Sequence, residues 1–257
     1  MKKFISTITF VIAVTFCAHS QSSYLVPVGG GPTNDEITKK IISLAKVAKP
    51  NVLIISNASQ DKDIPKTIKK SSELFSKFGI TNINGLDVNK VEEAKKLIAN
   101  ADIIWMSGGK QGKLIKDLSA KKLEIEIQKR FKAGNVVISG TSAGASILSD
   151  IMMTGTAVNE ETKEKTAKLS RGLKLWPETI LDQHFSERDR LGRLKTAVAA
   201  HPKLLGIGID ESTAVIYNGQ QKITVLGTGT VSFVKKSSNA DSFEVVVLKN
   251  LDEYTIK

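Results

Sequence analysis

The residues most able to do chemistry lie in Gly140-Thr141-Ser142-Ala143-Gly144, which follows the apolar run Val136-Val137-Ile138. A serine flanked at two residues on each side by glycine, between a β-branched strand and small helix formers, has the spacing of a nucleophile elbow. The glycines let neighbouring backbone approach the turn, the turn pushes the hydroxyl outward, and the N–H groups that follow open toward a developing oxyanion. A serine nucleophile needs a base, and beyond residue 20 only His184 and His201 are available. His201 precedes Pro202 among polar residues and reads as an exposed loop histidine. His184 ends the strand-like run Ile180-Leu181-Asp182-Gln183, where a crevice would place a base. A third group should orient the imidazole. Gly206-Ile207-Gly208-Ile209 is an apolar strand closed by Asp210 and Glu211, and acids there are costly unless paired, so one of them should meet His184. The order serine, histidine, acid differs from that of ordinary α/β-hydrolases. Three of the five arginines, Arg188, Arg190 and Arg193, follow His184 within nine residues. They can clamp substrate carboxylates beside the base, or form surface ion pairs with Glu187 and Asp189.

These residues must be held by a scaffold, and the first half of the chain supplies one. Apolar runs at Tyr24–Val28, Asn51–Ser56, Thr81–Leu86 and Asp102–Ser107 alternate with helical patterns at Asp35–Val47, Pro65–Phe78, Asn89–Ala99, from Gln111, and at Lys122–Lys132. That alternation predicts an α/β fold, a mostly parallel sheet with helices on both faces and its ligands at the carboxyl ends of the strands. Gly29-Gly30-Gly31, Gly108-Gly109 and the elbow glycines all fall at such ends and should converge on one crevice. Residues 149–180 are less regular, and Asn159–Lys168 is read as an exposed charged loop. A helix is expected over Glu187–Ala200 with Ser186 as its N-cap. Beyond Leu205 five short strands, with turns at Asn218-Gly219 and Ser237-Ser238-Asn239, suggest antiparallel strands closing the sheet edge.

The 257 residues, 41% of them hydrophobic, suffice for one core. Residues 1–20 read as a signal peptide: Lys2 and Lys3, an apolar stretch from Phe4 to about Phe16, and small residues at Ala18 and Ser20. Residues 21–257 would then form a single exported domain, periplasmic or extracellular. The apolar stretch is too short to span a membrane. Cleavage after Ser20 would remove Cys17, the only cysteine, which excludes thiol chemistry from the mature chain. Without Lys2 and Lys3 the balance is 35 basic to 26 acidic residues, about +9. The lysines are spread over nearly every predicted helix and aromatics make up only 5% of the chain, so neither a nucleic-acid nor a membrane partner is expected.

Taken together, Gly29–Gly31, Ser107-Gly108-Gly109-Lys110-Gln111, Gly140–Ala145, Asp182-Gln183-His184-Phe185 with the three arginines, and Gly206–Glu211 occur in the order found in a serine peptidase family. The chain resembles peptidase family S51, which contains cyanophycinase and peptidase E, over essentially all of residues 21–257. The Asp182–Arg193 block is closer to cyanophycinase. The resemblance implies a fold like the class I glutamine amidotransferases. It implies Ser142 as nucleophile, His184 as base and Glu211 as orienting acid, with oxyanion donors at Gly109 and Ala143. Gln111, Asp182, Gln183, Arg188, Arg190 and Arg193 are implied to bind substrate, without metal or cofactor, in a homodimer. The implied substrate is cyanophycin, a polyaspartate bearing arginine on each β-carboxyl, released as β-Asp-Arg, or alternatively a short aspartyl or isoaspartyl peptide. A non-catalytic ligand-binding relative is a further alternative. Lys110 departs from the pattern, standing where the family usually has an acid.

Overall fold

The computed structural model describes residues 22–158, 165–238 and 242–256. The expected signal peptide, and the 159–164 part of the expected charged loop, lie outside the described residues.

The first sheet has eight strands. Its parallel part consists of β1 (Tyr24–Val28), β2 (Val52–Ile55), β3 (Ile83–Gly85), β4 (Ile103–Met106) and β5 (Val137–Thr141). Three antiparallel strands extend it beyond β1: β10 (Thr213–Tyr217), β11 (Lys222–Gly227) and β14 (Glu253–Thr255). The spatial order is β14-β11-β10-β1-β5-β4-β2-β3. Its strands alternate between two cores, as period-2 geometry requires when both faces are covered. Val26, Val28, Val52, Ile54, Ile103, Trp105 and Val137 pack on one face with α1 (Asp35–Leu44) and α2 (Ile64–Ser76), through Ile37, Ile41 and Phe75. Leu25, Leu53, Ile55, Ile104, Met106 and Ile138 pack on the other with α3 (Val91–Asn100), α4 (Gln111–Ala120), α5 (Leu123–Lys132) and the short α6 (Ala143–Ser146).

The segment read as irregular is β structure. Its described residues contain β6 (Ser149–Val158), β7 (Lys165–Arg171) and β8 (Trp176–Gln183), which build a second sheet with β9 (Leu205–Ile209), β12 (Val231–Lys236) and β13 (Phe243–Leu248). Lys165–Lys168, expected in a loop, therefore lie in a strand. The later strands divide between the sheets: β10 and β11 close the edge of the first, while β9 and β12 belong to the second, where β9 runs parallel to β8. The central strands of the second sheet are covered on both sides. Leu181, Ile207, Ile209, Val231 and Phe233 join the core shared with α3–α6. Ile180 and Val234 pack under α7 (Leu191–Ala200), against Leu194 and Val198. The α7 helix lies so close to β9 that a β-carbon on Gly206 would sit 2.8 Å from Val198 Cγ2.

The helix expected from Glu187 begins four residues later. Ser186–Arg188 is a single 3₁₀ turn, and Asp189 breaks it in the left-handed region at φ 49°. Ser186 does not cap α7, whose N-cap is Arg190. The Ser186 N–H is instead given to the Asp210 carboxylate at 2.9 Å, which fixes the chain direction before the helix starts.

Candidate active site

The elbow forms as its glycines require. Between β5 and α6, Ser142 sits at φ 53°, ψ −112°, a conformation that costs a side-chain-bearing residue on the order of 1–3 kcal/mol and persists only when its surroundings enforce it. They do so by close approach. A β-carbon on Gly140 would lie 2.6 Å from the Gly144 carbonyl, and one on Gly144 2.1 Å from the Met106 carbonyl oxygen. Glycine on both sides is therefore a steric condition of the turn. The Ser142 N–H donates to the Val28 carbonyl at 3.0 Å, tying the elbow to β1.

The two sheets meet at Ser142. Its Oγ is 2.8 Å from His184 Nε2, and His184 Nδ1 is 2.5 Å from Glu211 Oε1. His184 follows β8 with φ 49°, a left-handed conformation like that of Ser142, and its N–H donates to the Gly29 carbonyl at 2.7 Å. The imidazole side chain is 11% exposed. Gly29-Gly30-Gly31 makes room for these groups. A β-carbon on Gly30 would fall 2.2 Å from His184 Cε1, and one on Gly31 2.7 Å from Glu211 Oε2. The glycine run after β1 is thus the bed of the histidine–glutamate pair.

The two acids closing β9 have separate work. Glu211 meets His184, and its own N–H donates to Glu187 Oε1 at 3.0 Å. Asp210 accepts from the Ser186 N–H, the Thr230 N–H and the Thr230 hydroxyl, at 2.9, 2.9 and 2.7 Å. Burial pushes the Asp210 carboxyl up, but the hydrogen bonds from Thr230 and Ser186 outweigh it and hold the group below the ordinary carboxylate range.

The expected oxyanion donors lie beside the serine. Ala143 is the first residue of α6, where an N–H has no intrahelical acceptor. Gly109 follows Gly108, whose β-carbon position is 3.3 Å from Ser142 Cβ. Among the described residues neither N–H has an acceptor. The Gly109 loop is held by the Lys110 N–H on the Ala58 carbonyl at 2.8 Å. Lys110 itself is exposed and is the N-cap of α4, directly after Gly109.

The remaining predicted residues separate into two groups. Asp182 is fully buried and has spent its carboxylate: Arg193 grips both oxygens, Arg190 donates at 3.2 Å and the Gln183 N–H at 2.9 Å. Arg193 also donates to the Thr156 hydroxyl at 2.8 Å and is itself buried. These two hold each other. Gln183 and Arg190 reach Ser142 and its neighbourhood. Gln183 Oε1 lies 3.5 Å from Ser142 Oγ and accepts from Arg190 at 3.2 Å. Burial pulls the Arg190 guanidinium below its ordinary value, Asp182 opposes that, and Arg193 and Arg188 add to it. Arg188 is exposed on the 3₁₀ turn. Gln111, at the start of α4, donates to the Met153 carbonyl at 2.6 Å and bridges the first sheet's layer to β6. His201 caps the far end of the 10-residue α7, about 15 Å of helix away. Sequence reasoning missed Glu187 as a partner of the Glu211 backbone. It also missed the left-handed backbone of His184, since no residue type announced either.

The model of peptidase family S51 matches residues 25–225. The chain is 33% identical over 204 residues to a cyanophycinase of Trichormus variabilis, covering 77% of this chain and 68% of that protein. It is 33% identical over 222 residues to a cyanophycinase of Geminocystis herdmanii, covering 83% and 80%. Among solved structures, a peptidase from an acI-B1 actinobacterium superposes with a TM-score of 0.71 at 20% identity, over 92% of this chain and 98% of that one. A protein assigned to peptidase E from Listeria monocytogenes superposes with a TM-score of 0.59 at 15% identity, over 81% and 100%. At these identities the structural matches speak to the fold.

Proposed function

Because the chain belongs to peptidase family S51, we propose that it is a cyanophycinase-like serine peptidase working through Ser142, His184 and Glu211. The observation that carries this reading is the continuous hydrogen-bond line from Ser142 Oγ through the imidazole to Glu211, at 2.8 and 2.5 Å. Glu211 keeps the proton of the neutral ring on Nδ1, which leaves Nε2 free to accept. His184 Nε2 takes the Ser142 proton as Oγ attacks the scissile carbonyl. The N–H groups of Gly109 and Ala143 receive the negative charge on the carbonyl oxygen. The imidazolium, stabilised by Glu211, returns its proton to the leaving amine as the C–N bond breaks. Water, deprotonated by the same ring, then splits the acyl-enzyme and regenerates Ser142.

The substrate side of the reading rests on charge. Arg190 and Arg193 share one buried carboxylate, Asp182, and Arg188 stands exposed near them, which leaves the flank next to Ser142 positive and suited to the carboxylates of an aspartyl polymer. Gln183 and Arg190 are the members placed to touch substrate, and Arg188 extends the clamp outward. Gln111 fixes the floor of that flank. The product is β-Asp-Arg. Export, signalled by residues 1–20, and a homodimer complete the reading; the first requires a mature N-terminus at Gln21 and the second a twofold mass in solution.

The exposed Lys110 favours a second reading, hydrolysis of short aspartyl or isoaspartyl peptides, since a cation at the crevice edge repels a guanidinium. Incubation with insoluble cyanophycin and with Asp-X dipeptides, followed by mass spectrometry of the products, separates the two. Release of β-Asp-Arg is expected, with Ser142→Ala lowering kcat by about 10³-fold or more. Unchanged hydrolysis by Ser142→Ala would sink the triad.

A further inference from the structure

We infer that a second substrate subsite, built for a carboxylate and centred on Lys70, lies on the α2 flank of Ser142, opposite the arginines. It rests on Ser142 being the nucleophile. A cavity of about 670 Å³ opens there, and it touches the catalytic elements at three points. Gly31, which packs on Glu211, forms one wall; Gly108, which packs on Ser142, forms another; Thr141, the residue before the nucleophile, forms a third. A substrate laid across Ser142 has one side over Gln183 and Arg190 and the other over this cavity.

The wall chemistry defines the ligand. Six hydroxyl residues line the cavity, Thr33, Ser59, Thr67, Ser71, Ser107 and Thr141, and no carboxylate does. Some hydroxyls already serve each other: Ser107 bonds Ser71 at 2.9 Å and the neighbouring Ser56 at 2.8 Å, and Ser59 bonds Thr67 at 3.0 Å. Two polar atoms of lining residues are different. The Trp105 indole N–H and the Thr141 hydroxyl are buried without a hydrogen-bond partner among the described residues. Buried polar groups in folded proteins nearly always find partners, and an indole N–H can only donate. Both atoms are sealed behind the wall, so the groups that can meet a ligand in the cavity are Lys70 and the outward hydroxyls. The only charged residue in the wall is Lys70, which is exposed on α2 and has no carboxylate partner among the described ion pairs. A cavity with an unpaired cation, hydroxyls and no acid on its wall fits a carboxylate; a guanidinium entering it would meet like charge and no counter-ion.

Two carboxylates of the proposed substrates qualify, the β-carboxylate of an unmodified aspartyl residue and the α-carboxylate of a β-linked arginine. Binding to Ser142→Ala protein, read by calorimetry, distinguishes them. The probes are an α-linked aspartyl dipeptide and β-Asp-Arg, each as the free acid and with the relevant carboxylate amidated. The acid is expected to bind about tenfold tighter than one of the two amides, and adding Lys70→Met should bring that ratio to near unity. Loss of the preference at either carboxylate supports the subsite and says which group it holds. A preference that survives Lys70→Met at both carboxylates overturns it. Cyanophycin cleavage by the Ser142-containing protein is scored separately. A protein that leaves the polymer intact but shows the Lys70-dependent preference refutes the proposed function and supports the subsite.

Discussion

Gly30 lies directly against the His184 imidazole, so close that a β-carbon on it would sit 2.2 Å from Cε1, 2.6 Å from Nε2 and 2.7 Å from Nδ1. The Gly30 backbone, at φ 116°, also accepts the Ser212 N–H through its carbonyl at 2.9 Å. The loop after β1 is thus shaped around the ring, and the position of the ring follows from the absence of a side chain on a loop of the other sheet.

Gly30→Ala should therefore displace the imidazole while leaving the rest of the molecule folded. A misplacement near 1 Å is enough to lower kcat by about 100-fold. Turnover measured beside far-ultraviolet circular dichroism checks this, and full activity in a folded Gly30→Ala protein would contradict the contact.

Glu211→Gln keeps the size of the orienting group and removes its charge. The variant should lose on the order of 10²–10⁴ in kcat with little change in KM, because the charge acts on the imidazolium formed during reaction and not on bound substrate. A KM effect without a kcat effect would assign Glu211 to substrate binding.

Asp182→Ala would leave the buried Arg193, 5% exposed, without its counter-ion. Breaking a buried pair from one side costs about 3–5 kcal/mol, whereas replacing both partners by apolar groups costs far less. Urea unfolding should show the single variant strongly destabilised and the Asp182→Leu/Arg193→Met pair closer to the parent. Equal loss in both would mean that the arginine, and not the pairing, supports the fold.

Asp210 should make the protein sensitive to acid. Its carboxyl titrates lower in the folded chain than in the unfolded one, so its contribution is complete above the unfolded value of about 3.9 and drains away as pH falls through the lower folded value. Between pH 5 and 2, the melting temperature of the parent should fall more steeply than that of Asp210→Asn. Parallel slopes would place the acid sensitivity elsewhere.

Much of the site was legible because its constraints are local. The elbow is written in five consecutive residues, and the scarcity of histidine singles out His184 as the candidate base. An apolar strand ending in two acids announces that one of them has a polar partner. What the residue types do not state is how distant segments share groups. Asp182 and the three arginines have the composition of a substrate clamp, yet bidentate pairing between Asp182 and Arg193 depends on α7 crossing beneath β8. The second sheet was hidden for a similar reason. The strands β6 and β7 pair with each other as a hairpin with one exposed side, so their pattern lacks the continuous apolar runs that marked β2 and β4. The helix expected at Glu187 was shortened by Asp189 in the left-handed region, a choice the tertiary contacts of Ser186 with Asp210 impose.

Ser142 belongs to the first sheet, while His184 and Glu211 follow strands of the second. Their 2.8 Å contact is therefore a gauge across a seam between two bodies of the fold, stitched by the His184 N–H on the Gly29 carbonyl and the Ser212 N–H on the Gly30 carbonyl. On the proposed mechanism, neither half carries a working centre alone. Any stress that lets the halves slip, by mild denaturant or by a substitution in the shared core, silences the enzyme while both sheets are still intact. Turnover is then the most sensitive strain meter the molecule has, failing before its spectroscopic signature of folded structure does.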